Sequence, residues 1–420
     1  MTHVLDDLQW RGLLAHSTDL DALREELDEG PVRFYVGFDP TAPSLHLGNL
    51  VQIITAMRLQ RAGHVPYALV GGATGMIGDP RDSGERTLNS ADVVADWVQR
   101  VQRQIEPFLS FEGDNRATVV NNYDWTANLS TIDFLRDVGK HFPVNRMLAR
   151  DVVRTRLEAG ISYTEFSYVL LQSMDFLELY RAHDVRLQFG GSDQWGNLTG
   201  GVDLIRRATG GRVHAFATPL VTKADGTKYG KTEGGAIWLD PEMVSPYAFY
   251  QFWLNVEDVK VGELLRIFTF LDRAEIETLE ALTAEKPFLR EGQRRLAQEV
   301  TTLVHGAEET ERITAASAAL FGGGELASLH PETLAAALAE TGGGEVRRGG
   351  GLPTIVDLLV TAGLSESKGA ARRTVKEGGA YLNNQRVSDP EHRPADDDVL
   401  PGGWLVLRRG KKSFAGVRVS

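Results

Sequence analysis

The chain has 420 residues, 42% hydrophobic and 24% charged, with no cysteine and a formal net charge of −12. This length exceeds one ordinary core and asks for two or three domains. The lack of cysteine excludes disulfides and thiolate metal sites, no apolar run approaches the roughly 20 residues of a membrane span, and the acidic balance argues against broad nucleic-acid binding.

The charge is uneven. Leu352–Ser420 carries 11 Lys+Arg against 8 Asp+Glu, a net +3, which leaves −15 on the remainder if the total is −12. The N-terminal M-T-H-V-L-D-D-L-Q-W-R is acidic and amphipathic rather than signal-like, which fits a cytoplasmic protein. Residues 4–29 read as one or two helices on Leu5, Leu8, Leu13, Leu14, Leu20, Leu23 and Leu27, ended by Pro31. Arg33–Phe38 has strand composition, Leu50, Ile53, Ile54 and Met57 recur at helical spacing, Gly63 marks a stop, and Val65–Val70 reads as a second strand. This is one βαβ unit. Its loop, P-T-A-P-S-L-H-L-G-N (Pro40–Asn49), places His46 and Gly48 at the first helical turn. Free N–H groups and the positive dipole end there attract a phosphate. A helix-capping loop with a surface histidine is the plainer alternative.

Gly71–Pro80 (G-G-A-T-G-M-I-G-D-P) is a glycine-rich loop after the second strand, where an open α/β sheet puts its ligands. A helix over 89–109, a strand at Ala117–Asn122, a loop at Tyr123–Trp125 and mostly helix over 130–160 follow. In the helix Thr164–Tyr180, Phe166, Val169, Leu170, Ser173 and Leu177 form a core face, while Tyr168, Gln172 and Asp175 share another. That second face is either a solvated stripe or the wall of a pocket for a ligand with an ammonium and a hydroxyl. Val185–Phe189 is a strand running into G-G-S-D-Q-W-G-N (Gly190–Asn197), where Asp193 could hold a ribose hydroxyl or cap the next helix. Strand and helix alternate over 30–220, which predicts a doubly wound, Rossmann-like parallel sheet.

Lys223–Gly235 (K-A-D-G-T-K-Y-G-K-T-E-G-G) is a glycine-punctuated loop whose Lys228 and Lys231 could close over a triphosphate, or stay solvated. Residues 245–321 read as all helical. Residues 322–351 hold nine glycines in three triplets, which predicts a flexible connector around one short helix, Pro331–Glu340. Beyond it, two helices and short β segments form a small α+β tail. There Arg372, Arg373 and Lys376 share a helix and Arg408, Arg409, Lys411 and Lys412 a β segment, a pattern suited to a phosphate backbone.

Taken together, these stretches resemble the bacterial tyrosyl-tRNA synthetases, which are class I aminoacyl-tRNA synthetases, along nearly the whole chain. H-L-G-N at His46–Asn49 is similar to the signature H-I-G-H, and K-Y-G-K-T at Lys228–Thr232 to K-M-S-K-S. Y-V-G-F-D-P-T (Tyr35–Thr41), T-E-F-S-Y and G-G-S-D-Q-W-G-N occur in the matching order, and Leu352–Ser420 resembles a ribosomal-protein-type RNA-binding domain. The resemblance implies domains at 1–220 (catalytic), 221–244 (lysine loop), 245–321 (helical, toward the anticodon arm), 322–351 (linker) and 352–420 (RNA-binding).

The implied reaction joins L-tyrosine and ATP into tyrosyl-adenylate and pyrophosphate, then passes tyrosine to the 3′ end of tRNA(Tyr). The same resemblance implies that Tyr35 and Asp175 bind the phenolic hydroxyl, and that Tyr168, Gln172 and Asp79 face the α-ammonium. His46, Asn49, Lys228, Lys231 and Thr232 would hold ATP in the transition state, with Gly37, Asp39, Thr41, Gly48, Gly191, Asp193 and Gln194 lining the adenylate site and Arg86 on pyrophosphate. Mg²⁺ would accompany ATP, with no metal site of the protein's own. A homodimer with residues near 125–160 in its interface is also implied. Two departures stand out: Asn49 replaces the fourth histidine, and Tyr229, Gly230 and Thr232 replace Met, Ser and Ser.

Overall fold

A computed structural model describes residues 3–80, 88–158, 160–227, 229, 231–232, 235–320, 324–349, 351–410 and 413–420. The chain forms two compact units, Met1–Met243 with Val259–Glu280, and Val244–Asp258 with Ala281–Ser420.

In the first unit, β1 (His16–Ser17), β2 (Arg33–Phe38), β3 (Val65–Val70), β4 (Thr118–Asn121), β5 (Val185–Gly191) and β6 (His214–Thr218) form one sheet in the order β1-β6-β5-β2-β3-β4. All neighbours run parallel except β1 against β6. Parallel strands covered by helices on both faces need continuous apolar runs, and β6 is buried at every position. Strand order reverses between β2 and β5. The crevice at the carboxyl ends of those two strands is where such a sheet binds ligands. Asp39 leaves β2 there, and Gly190–Gln194 leaves β5.

The helix Leu47–Arg61 crosses from β2 to β3 with eleven buried residues, among them Thr55, Arg58 and Gln60. Arg58 is held by Asp7 and by the Thr269 carbonyl, and Arg11 reaches the carbonyls of Arg266, Thr269 and Leu271. These two buried guanidiniums satisfy carbonyls at the end of the helix Asp258–Phe268, which is why Val259–Glu280 packs with the first unit. The all-helical expectation for 245–321 holds locally, but that stretch is divided between the units. The expected loop at Tyr123–Trp125 is a short helix, Tyr123–Thr126.

In the second unit, Pro246–Leu254, Glu291–His305 and Ala307–Ala318 are helices. A second sheet joins β9 (Gly343–Val346), β10 (Ala380–Leu382), β11 (Gln385–Arg386), β12 (Trp404–Arg409) and β13 (Ser413–Val419), in the order β11-β10-β12-β13-β9; β7 (Lys231–Thr232) and β8 (Gly235–Ala236) are a separate two-stranded ribbon in the first unit. The sheet packs on Ile355, Leu358, Leu359, Ala371 and Val375 from two helices.

β9 corrects the flexible connector expected over 322–351. It pairs in parallel with β13, from Gly343↔Gly416 to Val419↔Val346. In the middle glycine triplet, Gly343 and Gly344 are a packing requirement. A Cβ on Gly343 would lie 1.9 Å from the Gly416 carbonyl oxygen, and one on Gly344 2.5 Å from Thr361. The short helix Pro331–Ala339 lies where the sequence places it.

Candidate active site

His46 is the N-cap of the helix Leu47–Arg61. Its Nδ1 accepts a hydrogen bond from the Gly48 amide at 3.0 Å, and the Asn49 side-chain oxygen accepts from the His46 amide at 3.0 Å. This reciprocal capping box changes the expected role of the helix start. The Leu47 amide donates to Ile237 O, and the Asn49 amide to His46 O. These first N–H groups are therefore engaged within the protein. What the helix start keeps for an anion is its dipole, with the His46 ring at its entrance. With Nδ1 accepting, the neutral ring carries its proton on Nε2 and presents a donor. Gly48 makes room for this: a Cβ there would lie 2.9 Å from His46 Cε1. Asn49 uses its oxygen in the cap, so its NH₂ group is the part left to meet a ligand.

Three carboxyl groups gather around Tyr168 at the ends of β2, β3 and β5. Asp39 accepts from the Tyr168 hydroxyl and from Thr74 Oγ1, both at 2.6 Å. Asp79 accepts from Gln194 Nε2 at 2.7 Å and from Asn197 Nδ2 at 3.2 Å. Asp175 accepts from Trp125 Nε1 at 2.9 Å and from Asn122 Nδ2 at 3.0 Å. Burial first, and then the charges of Asp39, Asp79 and Asp175, push the Tyr168 phenol up. The same three groups create a negative field suited to an ammonium.

Asp175 is 2% exposed. Its burial pushes its carboxyl up to about 7, against the pull of the Asn122 and Trp125 hydrogen bonds. Burial also raises the Asp79 carboxyl, again opposed by its two amide donors, Gln194 and Asn197. The Tyr35 ring lies 5.3 Å from Phe176, and its buried hydroxyl has no hydrogen-bond partner among the described residues. Burial and then the charge of Asp175 raise the Tyr35 phenol. A buried hydroxyl beside a buried carboxyl makes a site that rewards a ligand hydroxyl and penalises its absence.

Thus Tyr35, Asp39, Asp79, Tyr168, Asp175 and Gln194 come together at the switch point. Gln172 is half-buried on the helix Tyr163–His183. Gly37 and Thr41 are exposed on either side of Asp39. Asp193 is exposed, in the 3₁₀ turn Ser192–Gln194, and a Cβ on Gly191 would lie 2.7 Å from its Oδ1. Lys228 and Arg86 lie outside the described residues, as do Lys411 and Lys412. Of Lys231 and Thr232 only the backbone is described, in β7. In the second unit Arg372, Arg373 and Lys376 are exposed on one helix, with Arg372 2.8 Å from Glu391. Arg408 sits 4.1 Å over the Tyr381 ring, and Arg409 donates to the Leu364 carbonyl.

Sequence reasoning missed the residues that hold the carboxyls. Asn122 and Trp125 fix Asp175, and Asn122 also reaches Thr74 at 3.0 Å. Arg150 Nη2 bonds Asn197 Oδ1 at 2.6 Å behind Asp79. Polar residues just past the carboxyl end of a parallel strand, such as Asn122 after β4, were the available signal.

The model of the class I tRNA synthetases for tryptophan and tyrosine (W and Y) matches residues 27–322. The model of the tyrosine–tRNA ligase SYY-like C-terminal domain matches 346–417. The tyrosine–tRNA ligase of Streptomyces coelicolor is 63% identical over 423 aligned residues, covering 100% of both chains. That of Nocardia farcinica is 59% identical, over 99% of this chain and 98% of the relative. Among solved structures, a C-terminally truncated mitochondrial tyrosyl-tRNA synthetase of Aspergillus nidulans matches with a TM-score of 0.68 at 29% identity, over 75% of this chain and 93% of the other.

Proposed function

The chain belongs to the class I tRNA synthetases of the tryptophan and tyrosine group, and from that membership we infer that it is an enzyme that charges tRNA with tyrosine. L-tyrosine reacts with ATP to give tyrosyl-adenylate and pyrophosphate, and the tyrosyl group then passes to the 3′ end of tRNA(Tyr). The observation that carries tyrosine over tryptophan is the buried Asp175 beside a Tyr35 hydroxyl that has no partner among the described residues. Tyrosine-dependent ATP–pyrophosphate exchange, run beside tryptophan and phenylalanine and followed by tRNA charging, tests this. Exchange driven best by tryptophan would overturn it.

In this reading the substrate phenol donates to Asp175 and meets Tyr35, while the α-ammonium faces Tyr168, Gln172 and Asp79. The substrate carboxylate is already a nucleophile. One of its oxygens bonds the α-phosphorus of ATP as the bond to the bridging oxygen breaks, and that oxygen leaves on pyrophosphate. The protein aligns the two and stabilises charge, with no proton transfer to perform. His46 donates from Nε2 to a phosphate oxygen, Asn49 from its amide to ATP, Lys228 and Lys231 neutralise the leaving phosphates while Thr232 donates a hydrogen bond to them, and Arg86 acts on pyrophosphate. Asp39, Thr41, Gly37, Gly48, Gly191, Asp193 and Gln194 line the nucleotide and adenylate. Mg²⁺ would accompany ATP and supply further charge neutralisation on its phosphates. The donor set fits this: the groups at the helix start are donors, matched to phosphate oxygen and not to a cation.

Protonation gives a direct check. Asp175 already accepts from two donors, and a third hydrogen bond from the substrate phenol favours the carboxylate. Its carboxyl is raised to about 7, so the free protein holds a proton there at lower pH that tyrosine must displace. Tyrosine affinity, followed by fluorescence titration, should therefore fall as pH drops below about 7 and level off above it. The Asp175→Asn variant should lose this dependence. A flat wild-type profile from pH 6 to 8 would refute the assignment.

We further propose a homodimer, because Ile132 and Val144 are 69% and 60% exposed within the segment the family would pair. Sedimentation at micromolar concentration should give twice the chain mass; a monomer would count against it. The exposed basic groups Arg372, Arg373, Lys376 and Arg409, the half-buried Arg408, and Lys411 and Lys412 would contact tRNA phosphates. The site of action is the cytoplasm. No helix among the described residues is long and apolar enough to cross a membrane.

A further inference from the structure

Two chain segments meet in front of the helix that His46 caps. One is Ser44–Leu47. The other is Ile237–Asp240, the leg that returns from the lysine-bearing loop. The Leu47 amide donates to Ile237 O at 3.2 Å, and the Leu239 amide to Leu45 O at 2.9 Å. Between them His46 pairs with Trp238 in an isolated antiparallel bridge, ring centroids 6.1 Å apart. Two backbone bonds make only a short ladder, outside the named strands.

A third element bridges the two segments. Gln104 lies one residue before the end of the helix Ala91–Ile105. Its Oε1 accepts from the Leu45 amide at 2.8 Å and lies 3.2 Å from Ser44 Oγ, whose single proton has a nearer acceptor in the Leu45 carbonyl at 2.8 Å. Its Nε2 donates to Asp240 Oδ2 at 3.4 Å, and the Asp240 amide donates to Ser44 Oγ at 3.2 Å. Ser44 and Leu45 are 5% and 2% exposed, so the acceptor that Leu45 N–H finds here is not interchangeable with water. A primary amide can accept on one side and donate on the other within one planar group, which the bridging of these two legs demands.

We propose that Gln104 is a positioning residue for amino-acid activation: its amide sets the spacing between the segment that presents His46 and the leg that returns from the lysine loop. Gln104 acts through Leu45 and Asp240, on groups that in turn face the nucleotide. The proposal rests on the reading of His46 as a phosphate-binding group. It predicts a loss in the rate of activation and none in tyrosine recognition, because Asp175 and Tyr35 are held by other elements.

The test is tyrosine-dependent ATP–pyrophosphate exchange by the full chain, with Gln104→Ala, Gln104→Glu, and Gln104→Glu combined with Asp240→Asn. Gln104→Ala and Gln104→Glu should lower kcat about tenfold at unchanged tyrosine KM, the scale of a misplacement well below 1 Å. Glu at 104 faces the Asp240 carboxylate and repels it. Adding Asp240→Asn reverses donor and acceptor across that contact and should return most of the rate. On a His46→Ala background, Gln104→Ala should cost less than about twofold, because the two act as one unit. Wild-type kcat in both Gln104 variants, a rise in tyrosine KM in place of the kcat loss, no rescue by Asp240→Asn, or full additivity with His46→Ala would each overturn the proposal. The parent reading fails separately: it is lost if His46→Ala alone activates tyrosine at the full rate, whereas a slow His46→Ala beside a full-rate Gln104→Ala removes only the positioning role.

Discussion

Replacing Asp175 with Ala should collapse the preference for tyrosine over phenylalanine. In the wild-type site phenylalanine brings no hydroxyl to a carboxyl and a phenol that are both buried. A discrimination of about 10⁵ between these amino acids is an established property of tyrosyl-tRNA synthetases, not a magnitude read from this structure. The variant removes the acceptor, so phenylalanine no longer leaves it unpaired, while tyrosine loses a hydrogen bond to an ionised group. The combined change should lower the kcat/KM ratio by about 100-fold or more. Asp175→Ala also strands Trp125 Nε1 and Asn122 Nδ2, whose acceptor it was. Asp175→Asn keeps the shape and one carbonyl oxygen, so it strands only one of the two donors. If both variants, folded as judged by circular dichroism, exchange pyrophosphate with an undiminished preference for tyrosine, the phenol-reading role of Asp175 is wrong.

The second large effect concerns the other end of the site. His46→Asn keeps a side-chain acceptor for the N-cap and deletes the distal donor, and Lys231→Ala deletes an ammonium from the loop. Each should slow adenylate formation about 10²- to 10³-fold, the scale of removing one preorganised donor from a developing charge. The tyrosine dissociation constant should stay within about twofold, since these groups meet the phosphates in the transition state. Single-turnover kinetics of adenylate formation, with tyrosine binding measured by equilibrium dialysis, separates the two quantities. Weakened tyrosine binding at an intact rate would place both residues elsewhere.

The strands and crossover helices of the first unit were legible because their signals are local. Arg33–Phe38 and Val65–Val70 are apolar runs, and the helix between them starts at a capping residue and stops at glycine. Which side chains converge is a different matter. Tyr168, Gln172 and Asp175 share a helix face, yet period alone could not separate a solvated stripe from a pocket wall; the burial of Tyr168 and Asp175 excludes the solvated stripe for those two. Asn122, Trp125, Thr74 and Asn197 were missed because each acts on a carboxyl distant in sequence, through a tertiary hydrogen bond that leaves no periodic trace. The helix start misled in its detail. A free N–H at the first turn is the general rule, but the Leu47 amide is taken by Ile237, 190 residues on. The glycine triplets misled for a related reason. Composition suggests slack, whereas the space around Gly343 and Gly344 shows glycine used for closeness.

The pairing of β9 with β13 bears on where this protein can be cut. β9 begins at Gly343, ahead of the compositional boundary at Leu352. A recombinant fragment started at Leu352 would strip an outer ribbon and leave the N–H and C=O groups of Gly416–Val419 unshielded, an invitation to edge-to-edge self-association. Started a few residues before Gly343, the same module would carry its own selvedge.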